Sequence, residues 1–198
     1  MQPSVEAKPT LSWMGQYAGK LGARYTSFVT AFRYALDIED ALADDWCLIE
    51  TGSIRTINNW QGDGGGTIVL GQFAHQQNRV LHTVDISADA TSVAKHATQQ
   101  WRENVECITG DSVEYLRGVD FPVGFLYLDS MDCLNAVERA RQHQCEELMA
   151  IWPNLVPGAV VLLDDNPGKT DKTKAFLASM GAQVFVDALQ SGWRIQRG

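Results

Sequence analysis

Apolar residues along this chain fall into two patterns. Short, nearly continuous runs recur at Trp46-Cys47-Leu48-Ile49, at 123–128 and at 159–163. Shorter segments at 79–84, 105–109, 183–186 and 193–196 also read as strands. Between them lie stretches with apolar residues three and four apart, the spacing of a helix with one buried face. These predict helices over 67–76, 90–101, 112–116, 134–152 and 170–180, the last closed by Gly181. Ahead of the first strand, 12–43 also reads as helical, with Phe28, Ala31, Phe32, Ala35 and Leu36 on one face. Residues 1 to about 10 read as a loose tail, and Asp37, Glu39, Asp40, Asp44 and Asp45 as an acidic break.

Strand and helix alternate, and the central strands are apolar on both faces. That combination implies an α/β fold, a parallel sheet covered by helices on both sides. Gln190-Ser191-Gly192 supplies turn residues between the last two strands, so the sheet ends in an antiparallel hairpin. With 198 residues and no internal repeat, a single domain is expected. In such sheets a ligand sits outside the carboxyl ends of the strands. Five predicted strands end in acids there: Glu50, Asp85, Asp111, Asp129, and Asp164 with Asp165. Any one could be a turn or helix-cap residue. Five at one sheet end call for more than capping.

Composition narrows the partners. The formal charge of -8 disfavours nucleic acid, because such a surface repels phosphates. No apolar run approaches the roughly 18 residues that span a bilayer, so no membrane partner is expected. The first residues lack the layout of a signal peptide, and Cys47, Cys107, Cys133 and Cys145 form no CxxC pair. A cytoplasmic protein with reduced thiols, and no zinc site, is the expectation.

The stretch Cys47–Gly66 runs from strand through Glu50 and a Thr51-Gly52-Ser53 turn to three glycines, as a nucleotide-binding α/β protein opens its cofactor site. If the ligand carries an adenosine, Asp85 is placed to accept both ribose hydroxyls, and Asp111 an exocyclic amine, with Ser112 beside it. The alternative for Asp111 is a helix N-cap.

Taken together these segments resemble the class I S-adenosylmethionine-dependent methyltransferases, from Cys47 to about Gln196. LIETGS resembles that family's first motif, VDIS its second-strand acid, GDSVEYL its adenine segment and FLYLDS its fourth motif. The resemblance implies a Rossmann-like domain over 46–198 with seven strands ordered 3-2-1-4-5-7-6, strand 7 antiparallel. Residues 1–45 then form a helical cap, with Trp13, Tyr17, Tyr25 and Phe28 over the cofactor and acceptor, and with Arg24 and Tyr25 as lid candidates. It implies a cofactor site lined by Glu50, Gly52, Asp85, Asp111 and Ser112, with Thr51, Ser53, Ile86 and Asp129 alongside. The glycine loop departs from the family's compact form, because the eleven residues Ser53 to Asp63 intervene. Small methyltransferases with a similar ETG turn imply that Trp60, Asp63, Gly64 and Thr67 face the cofactor or acceptor, and the length of the gap makes Arg55 or Trp60 a candidate acceptor contact.

LLDDN also resembles the metal segment of the catechol and caffeoyl-coenzyme A O-methyltransferases. That resemblance implies Asp129, Asp165 and Asn166 as ligands of Mg²⁺ or another divalent cation, with Asp164 as a further candidate. Such a metal lowers the pKa of an acceptor hydroxyl and aligns its oxygen. The alternative is that Asp129 and Asp164 orient backbone in a metal-independent enzyme. Asp129 and His143 are the catalytic candidates, His143 as general base or additional ligand, with Glu146 and Glu147 one helical turn on. Lys169 and Lys172 read as a solvated helix start, or as contacts for a substrate anion.

The expected function is methyl transfer from S-adenosylmethionine to a small-molecule acceptor at a hydroxyl oxygen, with a homodimer as the candidate assembly. The rivals are a nicotinamide-dependent oxidoreductase and a non-catalytic adenosine-ligand binding protein. The chain lacks GxGxxG close behind the first strand and a Tyr-x-x-x-Lys pair, which counts against the oxidoreductase.

Overall fold

The structure is a computed structural model and describes residues 10–38, 45–60, 62–63, 65–133 and 136–196. The tail at 1–9, the break at 39–44, Gly64 and the expected start of the 134–152 helix lie outside the described residues. A 3₁₀ turn, Ser12–Tyr17, leads into α1 (Ala18–Leu21) and then α2 (Arg24–Leu36). There follow β1 (Cys47–Thr51), α3 (Gly66–Gln76), β2 (Leu81–Asp85), α4 (Ala88–Ala97), β3 (Val105–Thr109) and α5 (Ser112–Arg117). The second half comprises β4 (Val123–Leu128), α6 (Val137–Ile151), β5 (Leu155–Leu163), α7 (Asp171–Ser179), β6 (Gln183–Asp187) and β7 (Ser191–Arg194).

The strands form one sheet in the order β3-β2-β1-β4-β5-β7-β6. β1 to β5 pair in parallel, and β7 runs antiparallel to both β5 and β6. All of β4 is buried, as its apolar run requires. The order reverses between β1 and β4, which opens a crevice at the carboxyl ends of these strands. Registers pair Thr51 with Val84 and with Leu128, and Leu128 with Leu163. The residues just beyond, Gly52, Asp85, Asp129 and Asp164, therefore emerge at one level.

The N-terminal segment is less continuous than its pattern. It breaks at Gly22, whose backbone (φ 54, ψ −126) belongs to no helix. Beyond the break, α2 buries Phe28, Ala31, Phe32 and Ala35. Phe32 stacks on Phe73 of α3 at 4.2 Å between centroids and meets Phe125 of β4 at 5.6 Å. This segment is therefore part of the main core.

Two boundaries near the C-terminus differ from the pattern. β5 begins at Leu155, ahead of the expected Pro157-Gly158 turn. Pro157, which lacks an N–H, sits exposed within the strand beside Gly158 at φ 82, an irregularity that lets pairing resume. Ser191 and Gly192 lie in β7 rather than in the hairpin turn. A Cβ on Gly192 would come within 2.5 Å of the Phe185 ring, so this glycine admits a close side-chain approach.

Candidate functional site

A cavity of about 790 Å³ opens at the carboxyl ends of β1, β2, β4 and β5. Of the residues singled out from the sequence, Gly52, Ser53, Asp63, Asp85, Ile86 and Asp111 line it. Ser112, Asp129, His143, Asp164 and Asp165 do so as well. Glu50, Thr51, Trp60, Thr67 and Asn166 stand outside the lining.

The turn after β1 sets the floor. Gly52 has φ 84, and a Cβ there would lie 2.5 Å from the Asp129 carbonyl oxygen, so only glycine lets the ends of β1 and β4 meet. The Ser53 N–H donates to Asp85 Oδ2 at 2.8 Å, and the Ser87 N–H donates to Asp85 Oδ1 at 2.8 Å. These bonds aim the carboxylate and leave it lone pairs for a ligand. Next to it Ile86, 77% exposed, offers an unpaired apolar face to the cavity. Asp111 Oδ1 accepts the Glu114 N–H at 2.9 Å, so this residue is an N-cap and a cavity wall at once.

Glu50 lies behind the turn. It is buried and accepts from the Thr83 hydroxyl at 2.6 Å, while Ser53 Oγ lies 2.8 Å from Thr83 Oγ1. Thr83 has one proton, given to Glu50, so Ser53 donates into Thr83. Thr67 also bonds Glu50 and accepts the Ile54 N–H at 2.9 Å. Burial pushes the Glu50 carboxyl up to about 8. Glu50 and Thr67 thus hold the loop against the sheet. Trp60 turns to Tyr17, with ring centroids 5.6 Å apart, and to the Lys20 ammonium at 5.0 Å. Arg55 pairs with Asp63 of its own loop at 3.3 Å and ties that loop to the opposite rim through Asp132 at 2.7 Å.

The wall formed by α6 carries a buried acid. Glu147 Oε1 accepts from Ser112 Oγ at 2.5 Å and from Ser130 Oγ at 2.6 Å, with His143 Nε2 at 3.3 Å. His143 also lies 3.1 Å from Ser112 Oγ. The bond to Glu147 raises the His143 pKa against the opposing effect of burial. The four-residue spacing of His143 and Glu147 places them on one helix face, the signal that was available in the sequence.

At the ends of β4 and β5 three acids meet two cations. Arg24 Nε lies 3.1 and 3.2 Å from the two oxygens of Asp164, and Nη2 donates to Oδ2 at 2.9 Å. Burial opposes its charge, yet Asp164 holds the guanidinium above its ordinary value. Lys169 is wholly buried. Its ammonium donates to Ser130 O at 2.8 Å and approaches Asp165 Oδ2 at 3.2 Å and Asp129 Oδ1 at 3.5 Å. Lys169 is therefore no solvated helix start. Burial also opposes the Lys169 charge, and Asp129, Asp165 and Asp164 together raise its pKa. Asp129 accepts from the Tyr127 hydroxyl at 3.3 Å. Burial and the Asp164 charge push its carboxyl well above the usual range, with Lys169 opposing.

The expected metal set does not assemble. Asn166 donates to Asp187 Oδ1 at 2.9 Å and to Ala188 O at 2.6 Å. Its own Oδ1 accepts from Thr170 at 2.7 Å and Lys174 at 3.3 Å, so the amide is spent toward the terminal hairpin. Between Asp129 and Asp165 lies the Lys169 ammonium. Among the described residues no group of three or more His, Cys, Asp and Glu is arranged to hold a metal ion.

A family model described as a methyltransferase domain matches residues 61–166, which span the strand-end acids from Asp85 to Asp165. No curated protein sequence matches significantly. Among solved structures, the O-methyltransferase NovP aligns over 87% of this chain and 81% of its own, at TM-score 0.61 and 16% identity. A methyltransferase from Podospora anserina, PaMTH1, solved with S-adenosylhomocysteine bound, aligns over 94% and 85%, at TM-score 0.62 and 11% identity. MycE, from the mycinamycin biosynthetic pathway and solved with Mg and S-adenosylhomocysteine, aligns over 96% of this chain and 55% of its own, at TM-score 0.61 and 15% identity. At these identities the likeness is one of fold. None of the described helices is long and apolar enough to cross a membrane.

Proposed function

This chain belongs to the methyltransferase domain family, and from that footing we propose that it transfers a methyl group from S-adenosylmethionine to a hydroxyl oxygen of a small-molecule acceptor. The observation that carries the reading is the pairing of two unlike surfaces in one cavity. Asp85, Ile86 and Asp111 line one side, and Asp129, Asp164 and Asp165 the other. The first set has the chemistry of an adenosine site: an aimed carboxylate for two ribose hydroxyls, an apolar face for a base, and an acid for an amine.

S-adenosylmethionine, when bound, supplies an activated methyl group on a positively charged sulfonium. The chain's own part is positioning and charge. Gly52 brings the backbone close, Asp85 fixes the ribose, and Ile86 packs on the adenine with Asp111 at its edge. Asp129, held by Tyr127 and Lys169, accepts the hydrogen bond of the acceptor hydroxyl and takes its proton. His143 shares Glu147 with Ser112, so we assign it to the adenine side rather than to proton transfer. The described N-terminal segment, residues 10–38, acts as a cap through Arg24. No step passes through a metal, because Asn166 is committed elsewhere and Lys169 stands between the acids.

Calorimetry with S-adenosylhomocysteine and with NAD tests the proposal. S-adenosylhomocysteine binds, and Asp85→Ala weakens it by about tenfold or more through loss of two charged hydrogen bonds. Binding of NAD with none of S-adenosylhomocysteine would sink the reading.

A further inference from the structure

We propose, building on the methyltransferase reading, that Lys169 and Arg24 together hold the cation position of the acid cluster, so that transfer runs without a bound divalent metal.

Lys169 has three N–H bonds to give. Three oxygens lie around its nitrogen: Ser130 O at 2.8 Å, Asp165 Oδ2 at 3.2 Å and Asp129 Oδ1 at 3.5 Å. Two of these belong to the acids that a divalent ion would need. Its side chain is 0% exposed, so it is fixed within the protein and not a passing surface contact. The backbone holds it there as well, through the Lys169 N–H to Asp165 O at 3.1 Å. On the far side, Arg24 covers both oxygens of Asp164.

Charge counting leads the same way. Asp129, Asp164 and Asp165 carry three negative charges when ionised, and Arg24 and Lys169 carry two positive ones. One formal negative charge remains. A divalent ion would reverse that sign and lie against a buried ammonium. The third ligand of the metal pattern, Asn166, is spent on Asp187, Ala188, Thr170 and Lys174.

The arrangement also defines the acceptor's chemistry. A divalent ion selects acceptors that chelate it through two oxygens. Here the cation offers no open position, while the Asp129 and Asp165 carboxylates are part-exposed to the cavity. The acceptor is therefore held by donating hydrogen bonds, and a lone hydroxyl suffices. Lys169 is a positioning residue in this scheme, acting through Asp129 and Asp165.

The test is a Mn²⁺ titration of the full chain after EDTA treatment, read by the electron paramagnetic resonance signal of free Mn²⁺. The wild type leaves Mn²⁺ free into the millimolar range. Lys169→Ala and Lys169→Met uncover the acids and bind one Mn²⁺ at least about tenfold more tightly than wild type. Adding Asp165→Asn to either variant removes that binding. A merely structural lysine would not create a metal site on removal. Micromolar Mn²⁺ binding by the wild type, abolished by Asp165→Asn, would overturn the proposal. So would folded Lys169 variants that leave Mn²⁺ free. Should neither variant fold, the wild-type titration decides alone. Parallel calorimetry with S-adenosylhomocysteine separates the two readings. Its failure to bind removes the methyltransferase function and leaves the cation assignment standing. Micromolar wild-type Mn²⁺ binding with S-adenosylhomocysteine bound removes only the assignment.

Discussion

Glu50 sits wholly inside the protein, with two threonine hydroxyls on its carboxyl, and burial lifts that carboxyl from 4.5 to about 8. The direction of its effect on stability follows. Below 4.5 both folded and unfolded chains hold the proton, and Glu50 costs nothing. As pH rises toward 8 only the unfolded chain releases it, so stability is lost across that window and levels off above it. Glu50→Gln does not titrate. Its stability relative to wild type should climb by about 4 kcal/mol between about pH 5 and 8, measured by urea unfolding. A difference that stays flat with pH would show that Glu50 ionises in the folded chain at the same pH as in the unfolded one. The sequence made Glu50 visible as a strand-end acid but not its burial. Its hydrogen-bond partners Thr83 and Thr67 arrive from other elements. Lys169 was harder still. A lysine after a strand reads as solvated, and only the meeting of β4 and β5 ends places three acids around it. Asp85 was legible because strand end, apolar neighbour and helix start stand next to one another in the chain.

At the scale of elements, local period served well where one face decides the outcome. β4, buried on both sides, and α6 with His143 and Glu147 on one face follow from short-range pattern. The N-terminal segment did not divide correctly, because a break at Gly22 needs a backbone conformation that hydrophobic spacing does not encode. Pro157-Gly158 and Gly192 misled for a related reason. Turn-forming residues also serve strands at an irregularity or beneath an aromatic ring. Helix α2 carries its own prediction. Phe32 is fully buried between Phe73 and Phe125. Phe32→Ala should destabilise the protein by about 3–5 kcal/mol in denaturant unfolding. Because α2 also carries Arg24, the same change should loosen the Arg24–Asp164 pair and weaken S-adenosylhomocysteine binding. Loss of stability with unaltered binding would mean that α2 packs without shaping the site.

Across the whole molecule, the order of strands did more than any single motif. A parallel sheet that reverses between β1 and β4 collects acids from four strand ends at one crevice, though they lie far apart in the chain. The two rims of that crevice are held with unequal strength. On the α2 side, stacked Phe32 and part-buried Arg24 fasten the N-terminal segment to the sheet. On the other, Arg55 and Asp132 meet across the loops with side chains 52% and 55% exposed, and solvated pairs of this kind contribute only about 0–1 kcal/mol. We therefore expect a ligand to come and go on the Arg55 side, with the aromatic segment staying closed during exchange. Arg55→Ala should speed both association and dissociation of S-adenosylhomocysteine by about two- to fivefold in stopped-flow traces, leaving the affinity nearly unchanged. A change confined to dissociation would instead place Arg55 on the ligand itself. On this expectation the weak Arg55–Asp132 pair is a latch, whose ease of opening sets how quickly the cavity is emptied and refilled.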